Sequence, residues 1–507
     1  MKRWKNSNNY VRAGLTLALG LAVFLFWQQA YPHALSYQEQ FQLFLFDSDY
    51  LCDRIAVPGG LARYVGEFLT QFYNGVAIGA AIIAVLLMLV QRLTWRVVGG
   101  SYPLSFLPSV LIWYAMGDES VLLAYTVALL LALLAAWLCP KQGYGRWIAL
   151  AVGIPLLYWA IGPMVLLTAL LLMPLSAVYA VACILGSSLL VHYPLRQLSM
   201  GIAYYRYPEI LPYVLMAVPL LVAAMHFAHP LLKKQSSAIA SGLAVAVVAL
   251  AVLLIPKGFD KRKYELIEYD YMVRLNDWNG IISKAGKQQP DLPMSVCALN
   301  LALGMTNQLG ERATDFYQHG SQGLLPHFER NFATSLVTGE AYFQLGLVNT
   351  AQRLAFETME ALPNYNKSCR CMKRLAETNL INGNYEVARK YLHLLENTIF
   401  YRPWALRAKA LLGQEEQIDA HPLYGKLRRY RLSEDFLFSE QETDKICGQL
   451  FLHNTQNTMA MQYLVMAPLL DGDAQRFVSY VKVVQERVTY FNPRCVREGM
   501  ARIRQAR

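Results

Sequence analysis

The feature that most limits how this chain can fold is the uneven placement of its charge. Of the 46 Lys/Arg and 35 Asp/Glu in 507 residues, residues 1–255 hold 14 and 8, and residues 256–507 hold 32 and 27. So long a stretch with so little charge lacks the polar surface that water requires. Hydrocarbon in turn demands that every backbone group be bonded within a helix or a closed barrel. Continuous apolar runs, rather than alternating ones, select helices. Composition changes at Ile255-Pro256-Lys257, so two domains are expected: 1–255 in a bilayer and 256–507 in water.

A crossing helix needs about 20 mostly apolar residues. Six stretches offer themselves: Val11–Trp27, Val76–Val90, Leu104–Met116, Val121–Leu138, Ile210–Phe227 and Ala238–Ile255. A seventh tract, Trp147–Val191, is broken by Pro155, Gly162-Pro163 and Pro174 and holds two spans, or three if one is broken. The expectation is an all-α polytopic bundle of about eight spans in a bacterial cytoplasmic (inner) membrane. Lys2, Arg3 and Lys5 would also suit a signal peptide, but no small-residue cleavage site follows the first span, which is read as an uncleaved anchor.

Lys and Arg in short loops orient the spans. Lys2, Arg3, Lys5 and Arg12 place the amino terminus in the cytoplasm; Arg92, Arg96, Lys141 and Arg146 then fall inside, and residues 30–72 and 117–120 outside. Two spans in the long tract put Arg196 and Arg206 inside, Lys233 and Lys234 outside, and Lys257, Lys261, Arg262 and Lys263 inside; three spans invert all of these. The two-span count breaks the rule once and the three-span count twice, so a cytoplasmic second half is favoured by a single loop.

The second half reads as paired helices. Thr338, Ala341, Tyr342, Gly346, Ala351, Ala355 and Pro363 resemble the tetratricopeptide pattern, in which small residues let helices approach and an aromatic fills the gap to the next pair. Leu375-Ala376, Gly383-Asn384-Tyr385, Ala388, Leu392, Leu395 and Pro403 repeat it. A weaker unit centres on Ala313, and Asp277-Trp278 opens a divergent fourth. Basic residues are interleaved with acids here, which excludes a phosphate-backbone stripe and with it nucleic acid; the run Gly425–Arg431 is a solvated helix face. The eight cysteines show no C-x-x-C and no zinc spacing, and Cys369 and Cys371 read as structural.

Chemistry has one candidate location, the outside loop 30–72, where Glu39, Asp47, Asp49, Asp53 and Arg54 are set among aromatics. After Pro58-Gly59-Gly60, residues Leu61, Val65, Phe68 and Phe72 share a face, the pattern of a helix lying in the membrane interface. Asp118 and Glu119 reach the same side. Two acidic loops above an apolar bundle suit a divalent metal with a diphosphate, or a general base. Asp47 and Asp49 are the candidate catalytic residues, and Asp53, Asp118 and Glu119 the candidate metal ligands.

The layout of residues 1–255 is similar to that of GT-C glycosyltransferases, which use polyprenyl-phosphate sugars at the outer membrane face. Their acidic dipeptide has its nearest match in Asp47-Ser48-Asp49, separated by one residue, and their soluble domain lies outside. More specifically, Glu39–Phe72, with Phe41-Gln42-Leu43-Phe44-Leu45 and Pro58-Gly59-Gly60-Leu61, resembles an uncharacterised bacterial family of multi-pass membrane proteins with a tetratricopeptide-like tail. That resemblance implies architecture and carries no catalytic residue.

The expected function is a membrane-anchored scaffold whose helical repeats bind a protein partner. A GT-C-like transferase with a divalent metal is the alternative, and a transporter using the break at Gly162-Pro163 the third reading, for which His226 is a poor proton relay. No other cofactor is expected.

Overall fold

The computed structural model describes residues 2–195, 213–232, 236–327, 332–362, 367–432 and 442–505. Every named element in them is a helix, as expected; the one extended feature among the described residues is an isolated bridge between His319 and Ser321. Two compact units divide the chain, Met1–Lys261 and Arg262–Arg507.

Unit 1 opens with α1 (Lys2–Leu25), then three helices of the loop, α2 (Pro32–Gln40), α3 (Ser48–Ile55) and α4 (Gly60–Thr70). The apolar helices follow: α5 (Val76–Val98), α6 (Leu107–Ala115, led in by a 3-10 turn at Pro103–Phe106), α7 (Leu123–Leu138), α8 (Tyr144–Ile161), α9 (Val165–Leu172), α10 (Pro174–Leu195) and α11 (Tyr213–Phe227). The short α12 (His229–Leu232) precedes α13 (Ser237–Leu254). Four stretches are long and apolar enough to cross a membrane: Asn9–Ala30, Val76–Val98, Tyr144–Leu172 and Ala238–Gly258. The other apolar helices are shorter than a span, so length supports fewer crossings than the eight expected.

Side-chain contacts give the direction of each helix. At one end the Tyr102 hydroxyl donates to the Arg12 carbonyl at 2.5 Å; at the other, Phe26 packs on Trp113 and Phe259, with ring centroids 5.2 and 5.3 Å away. Helix α7 starts at the Phe26 end beside α4 and finishes with Trp137 under Arg96. Tyr144–Leu172 is not one rod. Arg146 donates to the Leu172 carbonyl at 2.8 Å, yet 26 residues of straight helix would part them by about 39 Å. The chain reverses at Gly162, whose φ of +61° is open to glycine, and α9 runs back along α7, where Thr168 bonds the Ala132 carbonyl. Helix α10 then turns again, with Tyr179 bonded to Ala151 and Tyr158 to Ser187. The tract Trp147–Val191 therefore contains three helices.

Helix α11 starts beside Tyr125, which bonds Leu215, and α12 reaches Gly99 and Gly100. Helix α13 runs from there to Phe259, whose ring stacks on Tyr31 at 4.1 Å. Among the described residues this makes nine successive antiparallel passes, and α1 and α13 run parallel. The chain enters unit 1 at the Arg12 end and leaves it at the Phe26 end. Arg196, Arg206, Lys233 and Lys234 lie outside the described residues, as does the start of the stretch Ile210–Phe227.

Burial in unit 1 is partly inverted. Helix α4 buries Gly60, Ala62, Arg63, Gly66, Glu67 and Thr70, and turns Leu61 outward at 41 % exposure. At Gly66 the approach is so close that a Cβ would lie 2.7 Å from the Ala124 nitrogen. Of the apolar window within Ala238–Gly258, only 11 % is buried. In water such surfaces would be driven inward; in lipid, small and polar residues face the protein and apolar ones the solvent.

Unit 2 is a succession of helical hairpins: α14 (Lys261–Arg274), α15 (Trp278–Lys287), α16 (Pro293–Met305), α17 (Leu309–Arg312), α18 (Phe332–Leu345), α19 (Val348–Glu360), α20 (Cys369–Asn382) and α21 (Tyr385–Glu396). After them come α22 (Arg402–Lys409), α23 (Glu415–Ala420), α24 (Tyr424–Tyr430), α25 (Thr443–His453), α26 (Thr458–Leu470), α27 (Ala474–Gln485) and α28 (Arg494–Gln505). Five hairpins share one turn. A left-handed residue, Asn276, Asn307, Gly346, Gly383 or Gly472, ends the first helix. The next residue donates to the carbonyl five positions back: Asp277 to Met272, Gln308 to Leu303, Leu347 to Tyr342, Asn384 to Asn379 and Asp473 to Pro468, at 2.7–3.0 Å. This bond satisfies an orphan carbonyl of one helix, and its donor stands at the N-cap of the next, where Asp277 and Asp473 also cap through their side chains.

Ala351 and Ala388 sit buried at equivalent places after two of these turns. Ala313 is buried too but belongs to a 3-10 turn after the single-turn α17, so that unit is truncated and one residue out of register. Pro363 lies outside the described residues. Cys369 and Cys371 are buried thiols that form no disulfide, and burial pushes Cys297 up to about 12 and Cys371 up to about 11, as expected of inert core cysteines.

Candidate functional site

The loop at the Phe26 end is built around Glu67. Its Oε2 accepts from the Tyr50 hydroxyl at 2.5 Å and from Arg54 Nε at 2.7 Å, and its Oε1 from Arg63 Nε, one turn earlier, at 2.9 Å. Tyr50 also reaches the Leu43 carbonyl at 2.7 Å, and the Arg54 guanidinium covers the Tyr50 ring at 4.5 Å. Burial and the adjacent Glu67 push the Tyr50 hydroxyl far up, so it remains a donor. Glu67 is 3 % and Arg63 8 % exposed. The Gly59 N–H and Trp159 Nε1 tie this loop to α8 through the Trp159 and Ile55 carbonyls, at 2.8 and 2.7 Å. Helix α2 adds a polar layer in which His33, Gln38, Glu39 and Gln40 are all buried.

Of the residues singled out by sequence, Arg54 joins this hub, and the candidate catalytic and metal-binding acids lie around it. Asp47 caps α3, accepting from the Tyr50 N–H at 3.2 Å; Asp49 and Asp53 are exposed on the same short helix. Asp118 closes its own turn, accepting from the Ser120 N–H and hydroxyl at 2.9 and 2.5 Å, and Glu119 is half-buried beside it. Among the described residues no group of three or more His, Cys, Asp and Glu is gathered for a metal, so Asp53, Asp118 and Glu119 are not brought together as one. Leu61, Val65 and Phe68 do share the outward face of α4. Glu67 and Arg63 are the pair that sequence reasoning passed over, although opposite charges four apart on an otherwise apolar helix were a signal.

Unit 2 holds a charged groove of about 240 Å³. Four basic residues, Arg274, Arg370, Lys373 and Arg374, and two acids, Glu340 and Glu377, line it. Arg370, Lys373, Arg374 and Glu377 follow a spacing of three and four along α20, which puts them in one stripe, while Cys371, Met372, Leu375 and Ala376 fill the core. Arg374 is 2.5 Å from Glu340 and lies 3.4 Å over the Phe343 ring. Arg370 grips both oxygens of the buried Asp270 at 2.9 and 2.8 Å. Lys373 rests over Trp404, and Arg274 donates to the Tyr401 hydroxyl at 3.0 Å. Burial opposes ionisation of Glu340, but Arg374 and Arg370 outweigh it and hold the carboxyl below its usual range.

A depressed folded-state value means that Glu340 stabilises unit 2 above its unfolded pKa, and that this contribution is lost as pH falls through the lower, folded one. Acid melting curves of the wild type are thus expected to drop below about pH 4.5, with Glu340→Gln flattening that limb. Identical acid limbs would show that Glu340 is not held ionised by its arginines.

A family model described as a family of unknown function, DUF6057, matches residues 7–506. The chain belongs to that family. No curated protein and no solved structure matches it. The DUF6057 match runs through both compact units, so the hairpin array is as much a part of the family as the apolar helices are.

Proposed function

We propose that the chain is an integral protein of a bacterial cytoplasmic membrane whose tetratricopeptide-like hairpin array holds a protein partner that presents acidic side chains. The observation carrying this reading is the groove along α20, where four cations face two acids and each cation is oriented by an aromatic ring, a phenol or a carboxylate of the protein. Pre-oriented side chains lose little entropy on binding, which is where affinity is usually lost. Unit 1, with its outward-facing apolar helices, acts as the anchor.

The nine passes, taken as crossings although only four stretches have the length of a span, bear on sidedness through their odd number. With Arg12, Arg92, Arg96, Lys141 and Arg146 near the end at which the chain enters, the positive-inside rule makes that end cytoplasmic. Residues beyond Lys261 then emerge on the outer side, the reverse of the placement that loop charges favoured by one loop. The transferase and transporter readings draw no comparable support: Asp47, Asp49 and Asp53 are exposed, and a metal set is not assembled among the described residues.

The test is co-purification of the full chain from solubilised membranes. A partner retained by the wild type and by Lys482→Glu, an exposed change on α27, is expected to be lost with Lys373→Glu. A set of partners indifferent to Lys373→Glu would end this reading.

A further inference from the structure

Between α1, α6 and α13, unit 1 leaves a groove of about 480 Å³, within the roughly 300–1,000 Å³ of ordinary ligand sites. Its walls, represented by Leu15 and Phe26 of α1, Phe106 and Trp113 around α6, and Ala244 and Val248 of α13, carry no charged residue. From Leu15 to Phe26 the α1 wall is about 16 Å long. That is about half of a hydrocarbon core of roughly 30 Å, the depth of one leaflet. Val248 is 62 % exposed, so the groove opens sideways toward lipid.

The Leu15 mouth carries a cation. Arg12 lies one turn before Leu15, and its guanidinium is 5.0 Å from the Trp95 ring and 5.6 Å from the Tyr102 ring, with Tyr102 next to the groove residue Pro103. Arg92 approaches Trp95 at 5.9 Å. Among the described residues no carboxylate pairs with Arg12 or Arg92. Two rings beside a guanidinium help to position it, and its N–H groups match the oxygens of a phosphate.

We infer that this is a binding site for an anionic phospholipid, with one acyl chain in the groove and its phosphate on Arg12, Arg92 adding to the local field. A partner helix would fill the apolar walls but bring no counter-charge to two cations at the mouth, which a phosphate does. The site lies on the leaflet of the amino terminus. The inference rests on the membrane reading of unit 1 and is independent of the partner groove in unit 2.

The full chain, purified in mild detergent, is loaded with phosphatidylglycerol or with phosphatidylcholine of the same chains, and the lipid retained through gel filtration is quantified by mass spectrometry. The wild type is expected to prefer phosphatidylglycerol. Arg12→Gln is expected to retain about fivefold less of it, the effect of one interfacial arginine. Ala244→Phe, which fills the groove, lowers retention of both lipids, and Val152→Phe, on an exposed face of α8, changes neither. Should Arg12→Gln lose its monodisperse peak, Arg92→Gln and Arg12→Lys carry the comparison, the first lowering and the second keeping the preference. Equal retention of the two lipids by the wild type, or a preference untouched by Arg12→Gln or, in its place, by Arg92→Gln, overturns the assignment. Recovery of the chain outside the membrane fraction would instead overturn the membrane reading beneath it.

Discussion

Replacing Glu67 with alanine is expected to lower the melting temperature of the purified protein by roughly 10 °C, the shift that about 3–5 kcal/mol produces in a unit of this size. The carboxylate sits at the centre of Tyr50, Arg54 and Arg63 with 3 % of its surface exposed. Removing it takes from Arg63, itself 8 % exposed, the carboxylate that its Nε bonds at 2.9 Å. A buried pair adds little over apolar packing, but breaking one side of it is costly because the other charge is left behind. Glu67→Gln is expected to fall between, since one oxygen still accepts from Tyr50 while the new amide N–H faces a guanidinium. Fluorescence-detected gel filtration after heating measures both; a Glu67→Ala protein that melts with the wild type would show that the hub is not what closes the loop.

The second large effect is all-or-none. Cys52 is the exposed cysteine of the eight, and it stands in the loop at the Phe26 end, the end at which the chain leaves unit 1. A membrane-impermeant thiol reagent on intact cells is expected to label the wild type and not Cys52→Ser. A reporter fused after Arg507 is expected to read external as well. Labelled Cys52 with a cytoplasmic reporter would require an even number of passes, and so one of the nine would have to fail to cross. The shortest, α9, would be the first suspect, because eight residues of helix reach only about 12 Å.

The candidate site was legible in part. Loop 30–72 does hold buried polar side chains, Glu39 and Glu67 among them, but the candidate acids Asp47, Asp49 and Asp53 are exposed. Asp47, Asp49 and Asp53 stand out in the chain because they are close together and near aromatics; Glu67 and Arg63 are flanked by apolar residues and look like the polar face of an interfacial helix. Which face turns inward depends on α7, whose Ala124 admits the bare Gly66, and that neighbour is far away in sequence. The stripe Arg370, Lys373, Arg374 and Glu377 was equally readable as a helix face, and only the side chains of α14 and α18 make it a groove.

The sequence by itself determined that the elements are helices, apolar in the first half and charged in the second, because hydropathy and helical period are local properties that every few turns of chain carry in full. It also placed Gly346 and Gly383 in a repeat pattern, and the structure shows them as the left-handed residues at which hairpins turn. The tertiary structure alone decided that Tyr144–Leu172 doubles back, that α13 runs parallel to α1, and that α4 hides its charges and shows its leucine. Each of these depends on partners distant in the chain, the Leu172 carbonyl for Arg146, Tyr31 for Phe259 and Glu67 for Tyr50, and a bond between distant residues leaves no period in the sequence to read.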